Sequence, residues 1–199
     1  MPQPTDVNGS SWGLMELAKR PDCLIGIGLV AAQWSSLEYA LADLFEMANA
    51  DVVRYPADDR YEETTVFSVD ASHGAVIDAV ESLRARVSMI RAKIRLRGGG
   101  ALASEFDVLV RDIRRRAGER ATIVHGRWGI HSAHPDDLLL RRGRDEPLMR
   151  YTAQDFRNTA ERIQALETKV RAFSKRCEVA LTRPAEWYDY GPPEPPAQN

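Results

Sequence analysis

A chain of 199 residues, 44% apolar and 28% charged, has the length for one well-packed domain and an ordinary globular composition, which excludes wholesale disorder. A net charge of −2 excludes a uniformly polybasic nucleic-acid binder, and two cysteines, Cys23 and Cys177, exclude a disulfide framework. The longest apolar run, Cys23 to Ala32, is interrupted by Gln33 and Ser35 well short of the ~20 residues of a membrane span, and residues 1–11 lack the pattern of a signal peptide. Cytoplasmic residence with no membrane partner is the expectation.

In chain order, residues 1–21 are polar, carry Pro2, Pro4 and Pro21, and read as a flexible lead-in. Four helical patterns follow. The first holds Ile27, Val30, Trp34, Leu37, Leu41, Leu44 and Ala48; the second holds Val76, Ala79, Val80, Leu83, Val87, Ile90 and Ile94. The third holds Phe106, Leu109, Val110, Ile113, Ala117 and Val124; the fourth holds Phe156, Thr159, Ile163, Leu166, Val170, Phe173 and Cys177. Steps of three and four put each set on one side of its helix.

The connectors carry their own signals. Residues 51–68 connect the first two helices, with a candidate strand at Thr64 to Val69. Arg97-Gly98-Gly99-Gly100 predicts a flexible break between the second and third helices, since no Gly-Lys-Ser/Thr follows and no strand precedes it. Trp128–His131, Leu138–Arg142 and Leu148–Tyr151 read as short strands, with turn residues at Gly143–Pro147. Thr152 with Asp155 three positions on resembles a capping box. Residues 182–199 are proline-rich and read as a disordered tail.

The expected fold is therefore all-α: an antiparallel four- to five-helix bundle with a small β-hairpin or meander inserted before the last helix. The domain would span residues 22–181.

Charge is unevenly spread. From Arg84 to Arg127 there are 12 basic and 4 acidic residues, a net of +8, so the remainder carries −10. Such asymmetry points to a phosphate-binding face, although arginine outnumbers lysine 23 to 4 along the whole chain.

The informative stretch is Glu119-Arg120-Ala121-Thr122-Ile123-Val124-His125-Gly126-Arg127-Trp128. Arg120 lies in phase with the apolar stripe of its helix, where an unpaired guanidinium is costly, so it needs a carboxylate, a phosphate or a wet interface. His125 falls at the helix end, with Gly126 suited to a left-handed position beyond it. An arginine, four intervening residues, then histidine and glycine near a helix end resembles the signature of the HEPN superfamily. The likeness includes Ile123-Val124, Trp128, and a first helix carrying Trp34 and Glu38, and would cover about residues 22–180.

That resemblance implies a metal-independent endoribonuclease or RNA-binding domain without cofactor, working as a homodimer in a stress or phage-defence system. An antitoxin-like protein partner is also implied. Arg120 and His125 would be catalytic, with Arg116 and Arg127 binding RNA. Two departures stand out: Ala121 replaces the polar residue that often follows the arginine, and Arg127 occupies the place of a tyrosine that some toxin members carry.

The chemistry fits the residue types. An arginine can stabilise charge on a phosphoryl group with parallel hydrogen bonds, and a histidine can pass a proton near neutrality. Five residues of ideal helix, however, separate the pair by about 7.5 Å of rise and about 140° of rotation, so one protomer's pair is not expected to converge unless the helix end deforms. A two-fold dimer would bring both copies to one cleft.

Structural readings stand beside these. Arg120 could pair with Glu38 or Glu119 as a tie between helices, and His125 could cap the helix C-terminus. His125, His131, His134, Asp136 and Asp137 match no strong zinc pattern, and no metal is expected. The competing whole-chain reading is a non-catalytic helical dimerisation or protein-interaction module.

Overall fold

In the computed structural model, residues 2–5, 9–55, 64–68, 82–141 and 147–184 are described. The elements are β1 (Gln3–Thr5), β2 (Ser10–Trp12), α1 (Leu14–Leu17), α2 (Pro21–Asn49), β3 (Asp51–Tyr55), β4 (Thr64–Ser68), α3 (Leu83–Val124), β5 (Arg127–His131), β6 (His134–Arg141), β7 (Leu148–Tyr151), α4 (Ala153–Leu181) and β8 (Arg183–Pro184).

The helical stripes form as their spacing predicts. Along α4, Phe156, Thr159, Ile163, Leu166, Val170, Phe173 and Cys177 are all buried. Along α2, Val30, Trp34, Leu37, Leu41, Leu44 and Ala48 are buried, with Ile27 half-buried. Each fully buried Leu, Ile or Phe side chain contributes roughly 1.5–3 kcal/mol relative to exposure. The second and third patterns belong to one 42-residue element, α3, kinked at Gly99 with φ 77° and ψ −173°. The glycine break is thus a single-residue bend. Val76, Ala79 and Val80 lie outside the described residues.

The all-α expectation is overturned. Five strands form one antiparallel sheet in the order β1-β7-β6-β5-β2, and a second sheet has the order β4-β3-β8. The fold is mixed α/β. The three strands expected before the last helix are present, but they are the centre of a larger sheet. Its edges come from the N-terminal segment expected as a lead-in: Gln3–Thr5 pairs with Leu148–Arg150, and Ser10–Trp12 pairs with Gly129–His131. The physical reason is that β5 and β7 would otherwise present unpaired N–H and C=O groups, which neighbouring extended chain satisfies. Gly143 and the turn around it fall outside the described residues, as does the chain after Pro184.

The chain divides into two compact units. The first comprises residues 1–41 and 104–173, with the five-stranded sheet; the second comprises 42–103 and 174–199, with the three-stranded sheet.

In the first unit, the inward face of the sheet carries Trp128, Leu138, Leu140 and Tyr151. Trp128 meets Tyr151 edge-on at 5.1 Å and Phe156 of α4 at 5.4 Å, and Tyr151 stacks on Phe156 at 5.5 Å. Phe106 of α3 stacks on Phe173 of α4 at 5.7 Å.

At the start of α4 the capping box is made. The Thr152 N–H donates to Asp155 Oδ2 at 3.0 Å, and the Asp155 N–H donates to Thr152 Oγ1 at 3.2 Å. In the second unit the guanidinium of Arg97 donates to the Ala48 carbonyl at 2.9 Å and to the Ala50 carbonyl, closing the C-terminal end of α2.

The helix α2 is long and apolar enough to cross a membrane, and a third of the qualifying stretch is buried within the fold. Gln33 and Ser35 interrupt the apolar run but lie within the helix, as the first helical pattern implies.

Candidate active site

The site lies in the first unit, where α3 ends and β5 begins. The His125 N–H still donates to the Ala121 carbonyl at 3.0 Å, so its backbone closes the last helical turn. The chain then enters β5 through Gly126.

Gly126 is required here by close approach, not by a left-handed conformation. A Cβ at this position would meet the side chain of Leu140 and lie 2.5 Å from the Thr122 carbonyl oxygen. Among the described residues, the glycines with positive φ are Gly9, Gly13 and Gly99. Trp128 braces the junction: its indole N–H donates at 2.9 Å to the Ile123 carbonyl, one of the carbonyls a helix end leaves without a partner.

Arg120 Nη1 lies 3.2 Å from His125 Nε2. One protomer therefore brings the pair together, against the expectation from ideal helix geometry. That arithmetic counts backbone positions only. The long stem of Arg120 spans the turn, and His125, one residue beyond the helix, turns back toward it. His125 is exposed and Arg120 half-buried.

Arginine has donors and no acceptor, so this contact requires His125 to offer the Nε2 lone pair. Arg120 Nε is buried and has no hydrogen-bond partner among the described residues.

The structural alternatives for Arg120 are not what the geometry shows. Glu119 accepts from Arg116 Nη1 at 2.6 Å through both carboxylate oxygens and lies 3.9 Å from Arg162. Glu38 is half-buried on α2 and makes no ion pair with Arg120 among the described residues. The charge of Arg120 thus stands without a carboxylate there.

The two arginines expected to bind RNA separate. Arg116 is 12% exposed and committed to Glu119, so a phosphate would have to displace that carboxylate. Arg127 is exposed on β5 and lines a cavity of about 250 Å³ with Trp12, Gly13, Leu17 and Trp128. Sequence reasoning passed over Trp12 and Arg141, whose guanidinium sits 5.1 Å from the Trp12 ring centroid. Only cross-strand register brings them together, and spacing along the chain carries no such signal.

The remaining polar residues form a separate cluster. His131 is buried and its ring lies 5.3 Å from that of His134. Arg150 reaches His134 Nδ1 at 3.2 Å and Asp137 at 3.3 Å. Cys23 donates to the Asp136 carbonyl at 3.5 Å, and burial, reinforced by Asp137 and Asp22, pushes its thiol up to about 11. Among the described residues, no group of three or more His, Cys, Asp or Glu side chains is placed to hold a metal ion.

No protein-family model matches the chain, no curated protein matches it, and no solved structure matches it.

Proposed function

We propose that this chain is a HEPN-like endoribonuclease whose metal-independent chemistry is carried by Arg120 and His125. One observation carries the reading: an arginine without a carboxylate partner among the described residues faces the Nε2 lone pair of an exposed histidine at 3.2 Å. A scaffold arginine is ordinarily neutralised by a carboxylate; this one is held by a group that can release it.

A phosphodiester entering the site would take over the donors of Arg120, two parallel hydrogen bonds being the favoured geometry. That exchange frees His125 Nε2 to accept the proton of the adjacent 2′-hydroxyl as the 2′-oxygen bonds to phosphorus. The bond from phosphorus to the 5′-oxygen breaks, and the leaving oxygen receives the proton from the imidazole. The products are a 2′,3′-cyclic phosphate and a 5′-hydroxyl. Arg120 offsets the charge that grows on the phosphoryl oxygens.

Cytoplasmic location, a homodimer and an antitoxin-like inhibitor belong to the same proposal. Each copy holds its own pair, so a two-fold partner would add a second pair rather than complete a broken one.

The test is incubation of the full chain with mixed single- and double-stranded RNA in excess chelator, beside His125→Ala and Arg120→Ala. Cleavage by the wild type that both variants lose supports the reading. Cleavage that survives both variants, or none by the wild type, overturns it.

A second reading has its own observation. Leu24, Ile25, Leu29 and Tyr39 on α2 are exposed by 39%, 60%, 42% and 72%. Such an apolar surface suits a non-catalytic interaction module, for which dimerisation without RNA cleavage or retention would be the outcome.

A further inference from the structure

The outer face of the five-stranded sheet carries charges that its own register sets against each other. Arg127 of β5 and Arg141 of β6 are Cα partners in an antiparallel ladder, so their side chains leave the sheet on the same side. Like charges directly opposite are destabilising, and neither arginine has an ion-pair partner among the described residues.

Between them and the sheet edge lies an aromatic ring. Trp12 of β2 is the register partner of Gly129. A Cβ at Gly129 would lie 2.7 Å from Trp12 Cδ2 and Cε3, so the absent side chain lets the indole rest against the strand. The Arg141 guanidinium flanks the ring at 5.1 Å, within cation–π range. Beside Trp12 opens the cavity of about 250 Å³ walled by Gly13, Leu17, Arg127 and Trp128. One of its walls, Arg127, follows His125 by two residues in the chain.

A cavity smaller than the roughly 300–1,000 Å³ of drug-sized sites suits one ring system better than a whole nucleotide. An aromatic wall supplies sequence-tolerant stacking, and two arginines without an ion-pair partner among the described residues supply attraction for the backbone. Arg127 sits on β5, the strand that follows His125, with Trp12 on β2 and Arg141 on β6 at either side.

We infer that Trp12, Arg127 and Arg141 form a nucleotide-binding subsite that stacks one base of single-stranded RNA and holds its flanking phosphate, threading the strand to the Arg120–His125 pair. This inference rests on the ribonuclease reading. The base lies against Trp12 inside the cavity, and Arg127 and Arg141 close on the phosphate. The repulsion between them falls when the anion binds.

The experiment uses the full chain carrying His125→Ala, so that bound RNA stays intact. Fluorescence anisotropy follows an eight-residue oligouridylate and the same oligomer bearing one abasic ribose. Trp12→Ala is expected to weaken the intact oligomer about tenfold, within the range of one lost stacking contact. The abasic oligomer should bind weakly from the outset and lose little more.

Trp12→Phe should restore most of the affinity, which separates stacking from a folding defect. Arg127→Gln, at an exposed position, should weaken both oligomers and flatten the salt dependence.

Equal affinity across all three variants, in a protein that does bind RNA and whose His125-bearing form cleaves it, overturns the subsite and leaves the nuclease standing. A protein that neither binds nor cleaves RNA overturns both.

Discussion

The indole N–H of Trp128 and the carbonyl of Ile123 are joined at 2.9 Å across the junction that carries His125. The bond ties the first strand after α3 to the last helical turn, so the backbone that carries His125 is anchored on both sides. Trp128→Phe keeps the packing against Tyr151 and Phe156 but leaves a buried carbonyl unsatisfied. The expected loss is about 1–3 kcal/mol in chemical denaturation. On the proposed reading, RNA cleavage should fall in kcat more than in KM, because the backbone at His125 loses a support while Arg127 and Arg141 remain.

Arg120→Lys tests what the guanidinium does. A lysine keeps the charge but offers a point donor in place of a planar fork. Cleavage should drop at least tenfold with little change in melting temperature, since no carboxylate among the described residues depends on Arg120. A variant that cleaves as well as the wild type would show that charge alone suffices.

Gly126→Ala has a steric cost. The new methyl would press on Leu140 and on the Thr122 carbonyl, and the backbone cannot give way cheaply. Overpacking of this kind costs about 1–3 kcal/mol, readable as a lowered midpoint in urea.

Asp155 links stability to acid. Burial pushes its carboxyl up, but hydrogen bonds, first that of the Thr152 backbone N–H, outweigh this and hold it below its ordinary value. A carboxylate depressed in the folded state contributes stability that is fully present above its unfolded value. That contribution is lost as pH falls through the folded one. The loss therefore begins near the ordinary carboxylate range of 3.8 and deepens below it. Asp155→Asn should be less stable than wild type at pH 7, and the two should converge under strongly acidic conditions.

Cys23 and Cys177 are both fully buried, and the Cys23 thiol is pushed up to about 11. Thiolate is the reactive form. The native protein at pH 7.5 should therefore resist alkylation of Cys23 for hours and react promptly once unfolded, as intact-mass measurement would show.

The helices were legible because Phe156, Ile163, Val170 and Cys177 repeat at a spacing only one element type can bury. The sheet was legible only in its centre. Gln3–Thr5 and Ser10–Trp12 are three residues each, too short for alternation to register, and their extended form depends on β7 and β5 far along the chain. Asp51–Tyr55 hid for another reason: its five residues, with Val52 and Val53 adjacent, show no apolar alternation.

At the candidate site, residue types pointed to Arg120 and His125, but Cα geometry alone could not bring them together; the reach of one side chain did. The commitment of Arg116 to Glu119 was readable from i,i+3 spacing, whereas the meeting of Arg141 with Trp12 needs the register of three strands.

The sheet borrows both of its outermost strands from the first twelve residues. Protein trimmed there, by protease or by cloning, bares two rows of unsatisfied backbone groups at once, a template for sticking to other copies. It also discards Trp12. Shortened preparations should aggregate, and an inactive one would speak of a missing border, not of a missing catalyst.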